Sequence, residues 1–162
     1  MEPFDSVVAE HGAAVLRFCR SRLRQADADD AWSETFIAAM RAYPDLRPDS
    51  NVRAWLFTIA HHKTIDLLRR TTRTPDPVDH RTHDRAGADG IPEPGDGVLR
   101  AALDALTQKQ RDAVVLHHIA GLPYAEVGSI IGSSEAAARR SAADGLAALR
   151  STYGRTLTER DH

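Results

Sequence analysis

Between residues 71 and 97 the chain reads TTRTPDPVDHRTHDRAGADGIPEPGDG, with four prolines, four glycines and almost no large apolar side chain. Such a stretch cannot bury enough apolar surface to offset the entropy of ordering it. It reads as a flexible linker, and it forces the flanks into two modules, residues 1–70 and 98–152, each with its own core. Residues 153–162 remain as a polar tail that is expected to fray. The linker holds six acidic against three basic residues, so the excess behind the net charge of -2 lies there, and self-repulsion favours an extended form. Whole-chain electrostatics therefore does not announce a nucleic-acid binder. With 42% hydrophobic residues in 162, two small cores are within reach.

No apolar run approaches the ~20 residues that span a bilayer, and the start MEPFDSVVAEHG lacks the basic and apolar regions of a signal peptide. A soluble, cytoplasmic protein without membrane contact is expected. The single cysteine, Cys19, excludes a disulfide framework and lies between Leu16 and Leu23 in a helical pattern, where a small buried residue is the expected role.

The first module shows helical periodicity and no convincing strand. Phe4 to Leu23 carries apolar residues at Val8, Val15, Leu16, Cys19 and Leu23. After a break at Arg24 to Ala28, Trp32, Phe36, Met40 and Tyr43 fall on one helical stripe, expected to be core. PDLRPDS at 44–50 is a turn-rich loop. Then comes NVRAWLFTIAHHKTIDLLRR at 51–70, apolar at its start and basic at its end.

Punctuation in the second module is clear. Thr107 and Gln110 have capping-box spacing ahead of the apolar run Ala113 to Ile119, and Gly121 is a natural stop. Pro123 opens a short helix with Tyr124, Val127, Ile130 and Ile131 on one side, and Gly132 ends it. Ser134 caps the last helix, whose Ala138, Ala142, Gly145, Leu146 and Leu149 form a stripe; Gly145 within it suggests close helix packing. Helix, short glycine-bearing turn, helix is the helix-turn-helix layout, although many helical hairpins share it. The expected fold is all-α, two small helical domains joined by a flexible linker.

On the helix at 51–70, His62, Asp66, Arg69 and Arg70 share one face with Arg73, and Lys63 lies beside them. Cations spaced this way can neutralise successive phosphates, and Trp55 and Phe57 could stack on or wedge between bases of an opened strand. A solvated helix end with Trp55 in the core fits the spacing as well. An enzyme reading would start from the eight histidines, but His61/His62 and His117/His118 are adjacent pairs, ~100° apart on a helix, and do not converge on a metal. No phosphate loop, nucleophile elbow or ligand cluster appears, so neither enzymatic activity nor a metal or cofactor is expected.

DADDAWSETFIAAMRAYPDL followed by NVRAWLFTIAHHKTIDLLRR resembles region 2 of bacterial sigma factors of the extracytoplasmic-function group, and LTQKQRDAVVLHHIAGLPYAEVGSIIGSS resembles their region 4. The resemblance covers nearly the whole chain outside the linker and tail. It implies a transcription initiation factor whose partners are core RNA polymerase and promoter DNA. An anti-sigma factor is a further partner that the resemblance admits.

By motif position, Asp29, Asp30 and Glu34 would dock on the clamp helices of the polymerase's largest subunit. The loop Leu46 to Val52 would hold a flipped base of the minus-ten element, with Asn51 as its reader, and Trp55, His61, His62, Lys63, Arg69 and Arg70 would meet the melting edge. Ser134, Glu135, Ala137, Arg139 and Arg140 would face the minus-thirty-five element. Ser141, Asp144 and Leu146 stand where the family usually has basic or polar residues, so weak contacts there, or dependence on the polymerase flap, are expected. A stand-alone helix-turn-helix regulator is the alternative, and co-purification with core polymerase discriminates the two.

Overall fold

The computed structural model describes residues 2–73 and 96–160. The expected linker falls between them, largely outside the described residues. The chain divides into two compact units, Met1–Gly87 and Ala88–His162. Among the described residues all regular structure is helical.

The first unit contains α1 (Phe4–Arg22), α2 (Gln25–Ala42), a 3-10 turn (Tyr43–Asp45) and α3 (Val52–Arg73). Only Leu23 and Arg24 separate α1 from α2, a shorter break than expected. The Leu23 N–H closes on the Cys19 carbonyl at 2.9 Å while the Leu23 side chain is buried. Apolar residues three and four apart make the core: Val7, Val15, Phe18 and Cys19 from α1, and Leu56, Phe57, Ala60 and Leu67 from α3. Phe18 meets Phe57 edge-on, ring centroids 5.7 Å apart at 87°. Buried hydroxyls bond back to their own helix, Thr35 to the Ala31 carbonyl and Thr64 to that of His61.

On α2 the buried ridge differs from the expected stripe. Ala28, Ala31, Thr35 and Ala39 are fully enclosed, whereas Met40 is 54% and Ile37 46% exposed. Small residues let α2 lie close against its neighbours, and that ridge turns Met40 outward. Phe36 and Tyr43 do join the core, packed with Phe4. Trp32 is half-buried and donates from Nε1 to the Gly12 carbonyl at 2.9 Å.

The second unit contains α4 (Asp96–Asp104), α5 (Gln108–Val114), a π-helical turn (Val115–Ile119), α6 (Tyr124–Ile131) and α7 (Glu135–Arg160). Both halves of the Thr107/Gln110 capping box form, each at 3.2 Å. Beyond Val114 the ladder widens, and the Ala120 N–H reaches the Val115 carbonyl five residues back, at 2.9 Å. Gly132 ends α6 in the left-handed region with φ 74°. A Cβ on Gly145 would sit 2.7 Å from Val114 Cγ2 and 3.2 Å from the Gln110 carbonyl oxygen, so α7 crosses α5 at a point where any larger residue forces its neighbours to shift. The last helix runs on to Arg160, past the start of the expected frayed tail at 153.

Candidate nucleic-acid and protein interfaces

Early on α2, Asp29 and Asp30 are exposed. Glu34 is half-exposed, and its carboxylate lies 4.0 Å from the Arg70 guanidinium at the end of α3. The acidic group on α2 and the basic end of α3 thus belong to one continuous surface. Ile37 and Met40 continue the exposed side of α2 beyond the acids.

Along α3 the helical phase sorts the proposed DNA-contacting residues. His62, Arg69 and Arg70 are exposed, and Lys63 is half-buried. His61 is 6% exposed, its ring 6.5 Å from that of Phe18, so it packs between α1 and α3 and cannot also meet a strand from outside. Phe57 is fully enclosed against Phe18, which removes it as a base wedge. Trp55 is half-buried with Tyr43 6.3 Å away, leaving part of its ring open. One turn of helix carries all three outcomes, since ~100° per residue moves a side chain from core to rim in a single step.

Asn51 is exposed at the head of α3, and its Oδ1 accepts the Ala54 N–H at 3.1 Å. It caps the helix, so the amide oxygen assigned to base reading already serves an orphan backbone donor. Around it the loop forms a cavity of about 470 Å³, lined among others by His11, Tyr43, Leu46, Asn51 and Arg53. Neither His11 nor Arg53 was visible as a lining residue in the sequence, because one comes from α1 and the other follows the loop. Burial lowers the His11 pKa below its ordinary value, with Glu10 opposing the shift and Arg53 adding to it.

In the second unit, Ser134 is exposed and its Oγ accepts the Ala137 N–H at 3.1 Å, so it is the cap of α7. Glu135, Arg139 and Arg140 are exposed, Ala137 is half-buried, and Ala138 and Ala142 face the core. Arg139 bonds Glu135 one turn back at 3.3 Å and lies over the ring of Tyr124. Tyr124 in turn stacks on His117. The stripe pattern of α6 showed Tyr124 only as an apolar position.

The family description Sigma-70 region 2 fits residues 7–74, and Sigma-70, region 4 fits residues 96–149. RNA polymerase sigma factor CarQ of Myxococcus xanthus is 33% identical over 158 residues, covering 94% of this chain and 90% of that relative. ECF RNA polymerase sigma factor SigE of Mycolicibacterium smegmatis is 32% identical over 149 residues, 82% of this chain and 54% of the longer relative. The solved structure of CnrH in complex with the cytosolic domain of CnrY is similar with a TM-score of 0.67 at 29% identity, covering 98% of this chain and 89% of that one. With both regions present in order on one chain, and a relative matched almost end to end, this protein belongs to the sigma-70 family, in its extracytoplasmic-function group.

Proposed function

We propose that the chain acts as a transcription initiation factor, binding core RNA polymerase, directing it to specific promoters, opening the minus-ten element and contacting the minus-thirty-five element. The observation that carries this reading is the joint presence of region 2 and region 4 on one chain. The functional units are placed at 1–70 and 98–152, with 71–97 between them.

Asp29, Asp30 and Glu34 take the clamp helices of the largest subunit. Exposed Ile37 and Met40 support a docking role for α2, because an apolar centre with a charged rim is the usual make-up of a protein interface. His62, Lys63, Arg69 and Arg70 meet the backbone of the opening duplex, while Asn51 and the open part of Trp55 meet minus-ten bases. Ser134, Glu135, Ala137, Arg139 and Arg140 present α7 to the minus-thirty-five element. This reading gives the chain no chemical step and no cofactor, and it places the protein in the cytoplasm with polymerase. Among the described residues no helix is long and apolar enough to cross a membrane. An anti-sigma factor is a further partner in this reading, and the similar protein CnrH was itself solved in complex with another protein, the cytosolic domain of CnrY.

The test is reconstitution with core polymerase. Parent chain is expected to co-purify with core and to direct promoter-specific run-off transcripts. Asp30→Lys with Glu34→Lys is expected to weaken core association with an unchanged circular dichroism spectrum. If the double variant competes for core as the parent does, the docking assignment fails. Tight, sequence-specific DNA binding by the isolated chain at ~150 mM salt would favour the stand-alone regulator, since a net charge of -2 promises little counterion release.

A further inference from the structure

Arg139 is held from two directions before any DNA arrives. Its Nη2 donates to Glu135 Oε1 at 3.3 Å, and its guanidinium carbon lies 4.7 Å from the centroid of the Tyr124 ring. Tyr124 is stacked on His117 with centroids 3.8 Å apart and planes within 14°. The Nδ1 of His117 lies 2.8 Å from the Leu122 carbonyl oxygen. A carbonyl only accepts, so Nδ1 carries the proton, and this bond orients the imidazole. The π-helical turn, the first residue of α6 and the second turn of α7 are thereby joined through one column of planar groups.

We infer that Tyr124 and His117 are positioning residues that keep the Arg139 guanidinium in one plane for reading a guanine in the minus-thirty-five element. The inference rests on the assignment of α7 to that element. An exposed arginine has many rotamers to lose on binding, and a ring beneath it with a carboxylate at its edge remove most of that freedom in advance. Bidentate bonding to guanine O6 and N7 needs the planar fork at a set angle, whereas neutralising a phosphate does not. Glu135 decides between these two targets. A carboxylate 3.3 Å from Arg139 repels phosphate, yet it can accept from the amino group of a cytosine. The neighbouring exposed side chains Ala136 and Ala143 have no hydrogen bond to offer a base, which leaves Ser134, Glu135, Arg139 and Arg140 as the polar readers on this helix, and Arg139 is the one seated over the Tyr124 ring.

The experiment uses holoenzyme reconstituted from the full chain and core polymerase on a promoter library randomised across both elements, with transcribed templates sequenced. Parent holoenzyme is expected to prefer guanine at one upstream position. Tyr124→Leu is expected to reduce that preference about tenfold at that position alone, while downstream preferences persist. Tyr124→Phe keeps the stacking face and is expected to retain the preference. Arg139→Lys, on a side chain 62% exposed, keeps the fold and the charge but not the planar fork, and is expected to relax the same position. The inference is overturned if Tyr124→Leu lowers transcription evenly across all sequences, or if Arg139→Lys leaves the guanine preference at its parental level. A parent holoenzyme that shows downstream preferences and no upstream one overturns the α7 assignment itself, and with it this role for the stack.

Discussion

Replacing Phe57 by alanine separates the two roles its aromatic ring could have had. The ring is fully enclosed and edge-on to Phe18 at 5.7 Å, so its loss leaves a cavity between α1 and α3. Large-to-small changes at such sites cost ~3–5 kcal/mol. A unit of about 70 residues at typical stability holds only ~4–10 kcal/mol, so Phe57→Ala should bring it close to unfolding. Trp55 is half-buried, and Trp55→Ala should cost about 1–2 kcal/mol. The two tryptophans, Trp32 and Trp55, both lie in the first unit, so fluorescence in a urea titration reports that unit alone. With a urea slope of ~1 kcal/mol per M for a unit this small, the midpoint should fall by roughly 3 M or more for Phe57→Ala and by about 1–2 M for Trp55→Ala. If Trp55→Ala proves the more damaging, or if Phe57→Ala keeps the parental midpoint while promoter opening is lost, the assignment of Phe57 to the core is wrong.

Asn51→Asp keeps the helix cap and removes the amide donor, so it should preserve the urea midpoint and relax one minus-ten position, whereas Asn51→Ala should also lose ~1 kcal/mol; permanganate footprinting on base-substituted promoters reads the first effect and urea titration the second. Gly145→Ala gains ~1 kcal/mol of helix propensity but drives a methyl to within 2.7 Å of a buried valine, an overpacking cost of ~1–3 kcal/mol, so the melt of the second unit followed by circular dichroism should shift slightly downward. The Cys19 thiol is pushed up to about 12, chiefly by burial, so a thiol reagent at pH 8 should leave it unmodified in the native chain and react once urea unfolds it. His11 has a folded pKa below its unfolded value of 6.5, so the unfolded state binds more protons below that pH; the urea midpoint of the first unit should fall as pH drops from 7.5 to 5.5, and less so in His11→Gln.

The residues flanking each helix were enough to place most of the second unit's boundaries. Thr107 with Gln110, Pro123, Gly132 and Ser134 act on backbone groups within a few positions of themselves, so their meaning survives without knowledge of the rest of the chain. Gly145 carried its message in the same way, because a glycine inside a helix has a cost that close packing can offset. Which face each helix buries was decided elsewhere. On α3, Trp55, Phe57 and His61 are all compatible with a core stripe or a rim, and only the approach of α1, with Phe18 at its centre, enclosed Phe57 and His61 and left Trp55 half open. On α2 the large side chains suggested the stripe, but the helix came closest along Ala28, Ala31, Thr35 and Ala39 and left Met40 outside. The cavity joining His11 to Asn51 and the column from His117 through Tyr124 to Arg139 bring together residues 40 and 22 positions apart. Local sequence sets helical propensity and caps through interactions a few residues long, whereas the rotation of each helix is chosen by a packing energy that exists only once its neighbours are present.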